Sequence, residues 1–384
     1  MISKIFASID ALYDEYVGVW EDVCNIESPT DYKEGVDRVG AYVADKARAL
    51  GFAVEIFPQP VAGDALCITM NPEAKGAPVC LSAHMDTVFP VGFFGTPAVH
   101  RDAEYIYGPG VVDCKGGIAV ALLAMNALRN AGFDERPVKL ILQSDEEVGS
   151  SLSKKATVGY MIEKAQGAVA FLNLEGHRFR SDDLCLKRKG ILTFEFKIKG
   201  KAAHSSQCAT AGANAILEAA YKITELEKQK DKDGITCCCS IIEGGTAPNT
   251  VPENCSFKVN VRFATAEQEA WIKNYVSELA ARTFVEGCTT TVEIVSDRVA
   301  MELEDRNIGL LERMNAIFEK NGLSPYKCGS RLGGSDAAYV TVAGIPCVDN
   351  IGAEGGKIHT KDEFGVLGSL REMAKRVAAV CAEI

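Results

Sequence analysis

Val138-Lys-Leu-Ile-Leu-Gln-Ser-Asp-Glu146-Glu147-Val-Gly-Ser150 reads as a buried strand that runs straight into paired acids. An apolar run of this length, with helix patterns on either side, belongs to a sheet covered on both faces. Outward from it the same reading repeats. Val79–Ala83 is an apolar strand that ends at His84-Met-Asp86, and Ala168–Leu174 is another that ends at Glu175. Between them lie helical patterns at Gly35–Gly51, Gly117–Ala131 and near Lys155–Gly167, with further strands at Ala53–Phe57 and Ala65–Met70. This alternation predicts an α/β domain with a mostly parallel sheet flanked by helices. His84, Glu146–Glu147 and Glu175 all fall just past the carboxyl ends of their strands, the rim where open α/β sheets bind ligands.

Two further segments carry ligand chemistry. Gly108-Pro-Gly-Val-Val-Asp113-Cys-Lys-Gly-Gly117 sets an acid in a Gly-rich turn that opens a helix, and Ile358-His359-Thr-Lys-Asp-Glu363 sets a second imidazole late in the chain. Two imidazoles and three carboxylates can hold two divalent ions if one carboxylate bridges, and one further carboxylate is left to act on a water, the complement that two-metal hydrolysis needs. His84 is the ligand of its pair, with Asp86 two residues on to orient its ring. Asp113 can reach between two ions, although an Asp before a helix also serves as an N-cap. Of the adjacent Glu146 and Glu147, one suits an ion and its neighbour the water. Glu175 ends an apolar strand, a costly place for an unpartnered charge. His177 is an alternative ligand on spacing alone but is expected at the surface or behind the ligands, and His100 is expected to be solvated.

The middle of the chain changes character. Leu192, Phe194, Phe196 and Ile198 alternate along a strand at Gly190–Gly200; helix, strand, strand, helix and strand follow to Val295. The order β-α-β-β-α-β is that of a ferredoxin-like α+β fold. The expected division is therefore a discontinuous catalytic domain over 1–188 and 302–384, with an inserted domain over 189–301. A chain of 384 residues exceeds the ~250–300 at which single cores stop growing.

Composition restricts the partners. At 47% hydrophobic and 24% charged the chain is an ordinary globular one, and a net charge of −11 argues against nucleic acid or an anionic membrane as partner. No apolar run approaches the ~18–20 residues of a membrane span. The N-terminus reads as an amphipathic helix without a signal peptide's cleavage region. Fourteen cysteines include no C-x-x-C pair, and Cys237-Cys238-Cys239 are consecutive. Free thiols in this number predict a reducing, cytoplasmic setting.

The ordered set H-x-D, G-x-G-x-x-D-x-K-G-G, D-E-E-x-G-S, a strand-terminal Glu and H-T-x-x-E resembles the M20 family of metallopeptidases. That group includes glutamate carboxypeptidase, aminoacylase, succinyl-diaminopimelate desuccinylase and tripeptide aminopeptidase. The resemblance spans nearly the whole chain. It implies a di-zinc site, with cobalt or manganese as alternatives, in which His84, Asp113 and Glu175 hold one ion and Asp113, Glu147 and His359 the other. It further implies that Glu146 is the base that moves the protons, and that a cis peptide follows Asp113. In the inserted part, Gly200-Lys-Ala-Ala-His204 resembles the segment whose His steadies the oxyanion across a homodimer. Gly244-Gly-Thr-Ala-Pro-Asn249 resembles the loop whose Asn binds substrate, and Asn260-Val-Arg262 the strand whose Arg grips a substrate carboxylate. Without the resemblance, His204 is a loop residue and Arg262 an ordinary strand cation. Gly334, in Gly333-Gly-Ser-Asp336, can offer backbone N–H groups to a carboxylate.

A lid and dimerisation role for the inserted domain follows from the resemblance. The activity it implies is release of a C-terminal amino acid, glutamate being one candidate, from a small peptide or N-acyl substrate. A Glu at position 175 goes with carboxypeptidases and deacylases, an Asp with the tripeptide aminopeptidase. An N-acyl-amino-acid deacylase is the nearest alternative and an aminopeptidase the next. A metal-stabilised binding protein without catalysis is the reading from a different class, against which the presence of Glu146, His204 and Asn249 counts.

Overall fold

The computed structural model describes all 384 residues, and these divide into two compact units. The first comprises residues 1–186, 303–330 and 335–384; the second comprises 187–302 and 331–334. No helix is long and apolar enough to cross a membrane.

The first unit is α/β. Its eight-stranded sheet runs Ala53–Phe57, Ala65–Met70, Val138–Gln143, Val79–His84, Ala170–Asn173, Cys347–Asp349, Asp183–Arg188, Lys327–Arg331. The four strands from Val138–Gln143 to Cys347–Asp349 are parallel, whereas Ala53–Phe57 with Ala65–Met70, Ala65–Met70 with Val138–Gln143, and Cys347–Asp349 with Asp183–Arg188 are antiparallel. The expectation of a mostly parallel sheet thus holds at the centre, and the whole sheet is mixed. The physical reason is coverage. The central strands are buried almost along their length, while the edge strand Ala53–Phe57 is largely open.

The helices Ile2–Asn25, Lys115–Asn130 and Leu367–Glu383 pack on one another within the main apolar core. Trp20 lies fully buried there and its indole N–H donates to Val111 O at 2.9 Å, so the core itself holds the turn that carries Asp113. Lys115–Asn130 begins two residues after Asp113 and is buried from Lys115 to Leu128. Gly117 is required where this helix meets the end of Ala170–Asn173, because a Cβ there would stand 2.2 Å from Leu174 O.

A second, five-stranded sheet in this unit was not legible in the sequence. It orders His100–Arg101, Tyr105–Tyr107, Phe364–Val366, Glu354–Gly356 and His177–Arg178, all two or three residues long. Strands this short carry no periodicity to read. Phe364–Val366 and Glu354–Gly356 pair antiparallel, so residues 357–363, with His359, form the connection of a hairpin.

The second unit is an antiparallel four-stranded sheet in the order Thr236–Gly244, Asn254–Phe263, Gly190–Lys199, Thr289–Arg298, joined by the helices Ala215–Glu227 and Ala266–Ala281. Leu192, Phe194, Phe196 and Ile198 face its core together with Cys255, Phe257, Val259 and Val261, and Phe196 stacks on Phe257 at 4.5 Å. A buried ion pair beneath the helices escaped sequence reading. Lys222 lies 3.1 Å from Glu218 and donates to the carbonyls of Leu279, Ala280 and Arg282, while Glu218 accepts from the N–H groups of Phe284 and Val285. Each charge thereby finds the partners that burial demands.

Gly117→Ala forces its new methyl against a backbone carbonyl, and overpacking of this kind destabilises by about 1–3 kcal/mol. Thermal unfolding of the variant is expected to shift to lower temperature; a midpoint equal to that of the parent would remove the close-approach argument.

Candidate metal centre

The four carboxylates and two imidazoles singled out from the sequence meet at the carboxyl rim of the parallel strands. Asp113 is at their centre. Its Oδ1 lies 3.1 Å from His84 Nε2, and its Oδ2 lies 3.1 Å from His359 Nε2. Glu175 Oε1 is 3.7 Å from the same His84 nitrogen, and Glu147 Oε2 is 3.1 Å from the same His359 nitrogen. The two oxygens of one carboxylate therefore face two separate pairs of donors, His84 with Glu175 and His359 with Glu147.

Each side chain is held from behind. The His84 ring turns its Nδ1 to Asp86, 3.0 Å from the carbonyl and 3.3 Å from Oδ1, which leaves Nε2 facing the acids. Asp86 is fully buried and does more than orient that ring. It accepts from Thr30 Oγ1 at 2.8 Å and from the N–H groups of Glu146 and Glu147 at 3.2 and 3.1 Å, so one carboxylate ties the histidine strand to the turn bearing both glutamates. That turn, Glu146–Val148, is a single 3-10 turn closed by Gly149 at φ +65°. Asp113 has a partner that sequence reading missed. Glu363 Oε1 accepts the N–H groups of Val112 at 2.9 Å and Asp113 at 3.1 Å. Glu363 is the last residue of H-T-x-x-E, but nothing in its spacing reveals an acceptor that reaches back some 250 residues. The peptide bond from Asp113 to Cys114 is cis, where the resemblance set one. His359 sits at φ +61°, a left-handed conformation uncommon outside glycine.

The electrostatics follow from crowding acids in a buried space. Burial raises the Asp113 carboxyl, but hydrogen bonds from His359 and His84 outweigh it and hold the group well below the usual range. Burial, then the charge of Asp113, pushes Glu147 up to about 7, and burial pushes Glu175 well above the usual carboxylate range. The same two causes push Glu363 up to about 8. Hydrogen bonding to Asp113, then to Glu147, pushes His359 up to about 10.

The residues fit divalent ions. Imidazole nitrogens and carboxylate oxygens are the donors such ions take, and atoms bound about 2.1 Å from one ion stand roughly 3–3.5 Å apart. Glu147 Oε1 is in addition buried without a hydrogen-bond partner, an orphan acceptor that a cation would satisfy. Cys114 also lies beside His84 and Glu175. Its Sγ donates to Leu174 O at 3.2 Å, and burial raises the thiol well above its usual range, which argues against its serving as a thiolate ligand. Of the two places expected for His177, at the surface or behind the ligands, the first is corrected: it is buried, and both ring nitrogens face carbonyls, of Asn350 at 2.9 Å and Ser181 at 3.0 Å. It has no nitrogen left for a metal. His100 is exposed, as expected.

His204, Asn249, Arg262 and Gly334 belong to the second unit. His204 and Asn249 adjoin there. The ribbon Ala203–His204 pairs with Thr250–Val251, and Ser205 N donates to Asn249 O at 2.9 Å. His204 is exposed and its Nδ1 lies 2.8 Å from Ser206 Oγ. Arg262 is half-buried on Asn254–Phe263 and donates from Nε to Asn260 Oδ1 at 3.1 Å. Sequence reading missed its neighbour. Ile191 pairs with Arg262 on one side and Arg298 on the other, which sets the two arginines on one face of the sheet. Burial, then the charge of Arg298, lowers Arg262 from its usual value. Gly334 lies against Arg298, whose Cδ would be 2.4 Å from a Cβ at that position, and Arg188 Nη1 donates to Gly333 O at 3.1 Å.

Comparison with known proteins adds a second line. The model of peptidase family M20/M25/M40 matches residues 80–383. The chain is 26% identical over 344 residues to carboxypeptidase G2 of Pseudomonas sp. (strain RS-16), covering 88% of this chain and 82% of that protein. It is 25% identical over 380 residues to the succinyl-diaminopimelate desuccinylase of Gluconobacter oxydans (strain 621H), covering 94% of each. Among solved structures, the aminopeptidase PepT from Bacillus cereus ATCC 10987 superimposes with a TM-score of 0.79 at 22% identity, over 97% of this chain and 98% of that one; this likeness speaks to fold alone.

An ion that binds this centre has to displace the proton held by Glu147. Affinity for a divalent cation is therefore expected to be weaker at about pH 6 than at about pH 8, with proton release on binding near neutrality. Competition against a chromophoric chelator at the two pH values checks this, and equal affinities would contradict it.

Proposed function

The chain belongs to peptidase family M20/M25/M40, and from that premise we propose that it is a carboxypeptidase, releasing a C-terminal amino acid from a small peptide or N-acyl substrate. Membership makes it a metal-dependent peptidase or amidohydrolase. The observation that carries the finer reading is Arg262, a half-buried guanidinium with Arg298 beside it on the same sheet face. A planar fork of this kind suits a carboxylate, and in a chain of net charge −11 an anionic substrate needs local cations. The relative named carboxypeptidase G2 supports the same reading. The desuccinylase relative, alike over 94% of both chains, supports deacylation of an N-acyl amino acid as a second reading.

In this proposal His84, Asp113 and Glu175 hold one divalent ion, zinc by its ligand types, and Asp113, Glu147 and His359 hold another. Bound there, the ions supply Lewis acidity to the scissile carbonyl and lower the pKa of water. Glu146, on the turn that Asp86 fixes, takes the proton from the attacking water and returns it to the leaving nitrogen. His204 donates to the carbonyl oxygen as it gains charge, and Asn249 adds an amide contact to the substrate. Arg262 and the Gly334 backbone hold the carboxylate of the departing amino acid.

A homodimer through residues 189–301 is part of the reading. It is supported by the open edge strand Thr236–Gly244, on which Ile241 and Ile242 are exposed. All fourteen cysteines are free, which supports a cytoplasmic setting.

Glu146→Gln is expected to keep its metal and lose turnover by about 10²–10⁴-fold, the range of general acid–base catalysis. Metal analysis beside a rate assay decides it, and a near-parental rate would remove Glu146 from proton transfer. Arg262→Ala is expected to raise KM for N-acyl-glutamate more than for the same compound amidated at the α-carboxyl. An equal rise for both would sink the carboxylate anchor. Cleavage confined to substrates with a free N-terminal amine would turn the reading to an aminopeptidase.

A further inference from the structure

Lys155 stands where local preference argues against it. It occupies the position before the helix Ala156–Ala165, where the N-terminal dipole disfavours a cation and Ser, Thr, Asp or Asn is the usual cap. Its backbone is left-handed at φ +67°, and Lys154 before it is left-handed at φ +54°. Two such residues in succession are costly without glycine, and conformations of this kind persist where the surroundings over-determine them. Local rules broken together at one residue point to a task for its side chain.

The Lys155 ammonium bridges two distant segments of the first unit. It donates to Gly149 O at 2.7 Å and to the Tyr339 hydroxyl at 2.5 Å. Gly149 closes the 3-10 turn Glu146–Val148, and Tyr339 lies on the short helix Ala337–Val342. The backbone repeats the tie, since Lys155 N donates to Ser150 O at 2.8 Å and Ser150 N to Asp145 O at 2.8 Å. Asp145 in turn accepts from Ser153 N and from the Thr157 hydroxyl at 2.8 Å each. Asp86 holds the entry of the Glu146–Glu147 turn through two N–H groups, and Lys155 holds its exit. A single 3-10 turn makes few bonds of its own, so its placement depends on these outside ties.

We propose that Lys155 is a positioning residue for the metal centre, with Tyr339 as its anchor. By fixing the Gly149 carbonyl, the ammonium fixes the turn that aims Glu146 and Glu147. A charge-assisted bond suits this task, being shorter and stronger than a neutral one. The inference rests on the reading of Glu146 as the base and Glu147 as a metal ligand. A catalytic group displaced by about 1 Å can lose 10²-fold in rate, so the carbonyl that anchors the turn matters although it touches no substrate.

The test compares Lys155→Met, Lys155→Arg and Tyr339→Phe with the parent, each loaded with cobalt(II) and assayed with N-acetyl-glutamate. Lys155→Met is expected to lower kcat by about 10–100-fold, the range for residues behind metal ligands, with KM changed less than about 2-fold. Its cobalt absorption bands are expected to shift, because Glu147 moves with the turn. Lys155→Arg keeps a charged donor and is expected to return both rate and bands most of the way. Tyr339→Phe is expected to lose part of kcat, and the double variant Lys155→Met/Tyr339→Phe no more than Lys155→Met alone. A lysine that served stability only would lower the unfolding temperature and leave the bands in place. Parental bands or a parental kcat in Lys155→Met, bands that arginine does not restore, or additive losses in the double variant overturn the proposal. The bands decide the role of Lys155 even where the parent releases no glutamate, an outcome that sinks the carboxypeptidase reading alone.

Discussion

One carboxylate shared between two imidazoles organises this molecule. Asp113 presents Oδ1 to His84 and Oδ2 to His359 at 3.1 Å each, and no other acid of the centre faces both rings. A position of this kind tolerates little movement, so the surroundings are arranged to fix it. Trp20 pins the carbonyl two residues earlier, Glu363 takes the N–H groups of Val112 and Asp113, and the tight packing at Gly117 sets where the following helix begins. The long core helices and the short second sheet thus serve the same end. They immobilise one turn.

The second constraint is charge. Asp86, Asp113, Glu146, Glu147, Glu175 and Glu363 crowd one region that is mostly closed to water. Such a cluster is unfavourable unless protons or cations share it, and the upward shifts of Glu147, Glu175 and Glu363 express burial first and repulsion from Asp113 after it. A divalent cation held here would relieve repulsion as well as form bonds. Asp86 escapes the conflict in part through its hydrogen bonds. Burial raises it, but the His84 ring and the Thr30 hydroxyl outweigh burial and lower it.

An aromatic cluster and a pair of arginines stand on different parts of the chain. The ring cluster at residues 88–95 follows the strand Val79–His84. The arginine pair grows out of a separate antiparallel sheet, where Ile191 spaces Arg262 and Arg298.

The α/β class, the strand and helix order of the second unit and the imidazole and carboxylate donors were legible because they reside in local pattern. Apolar runs of five or six residues ending in His, Glu or a Gly-rich turn declare a sheet rim, and strict alternation from Leu192 to Ile198 declares a half-buried strand. Strand directions at the sheet edges were not legible, because a short apolar run looks alike in either direction. Nor were the partners behind these side chains. That Glu363 rather than any other acid caps Val112 and Asp113, that Asp86 spans from His84 to the Glu146–Glu147 turn, and that His177 is sealed between two carbonyls are facts of contact between distant segments. Hydrogen bonds act over about 3 Å in space and are indifferent to separation along the chain. The sequence determined which chemistry this protein can carry; the tertiary structure alone decided which oxygen faces which nitrogen.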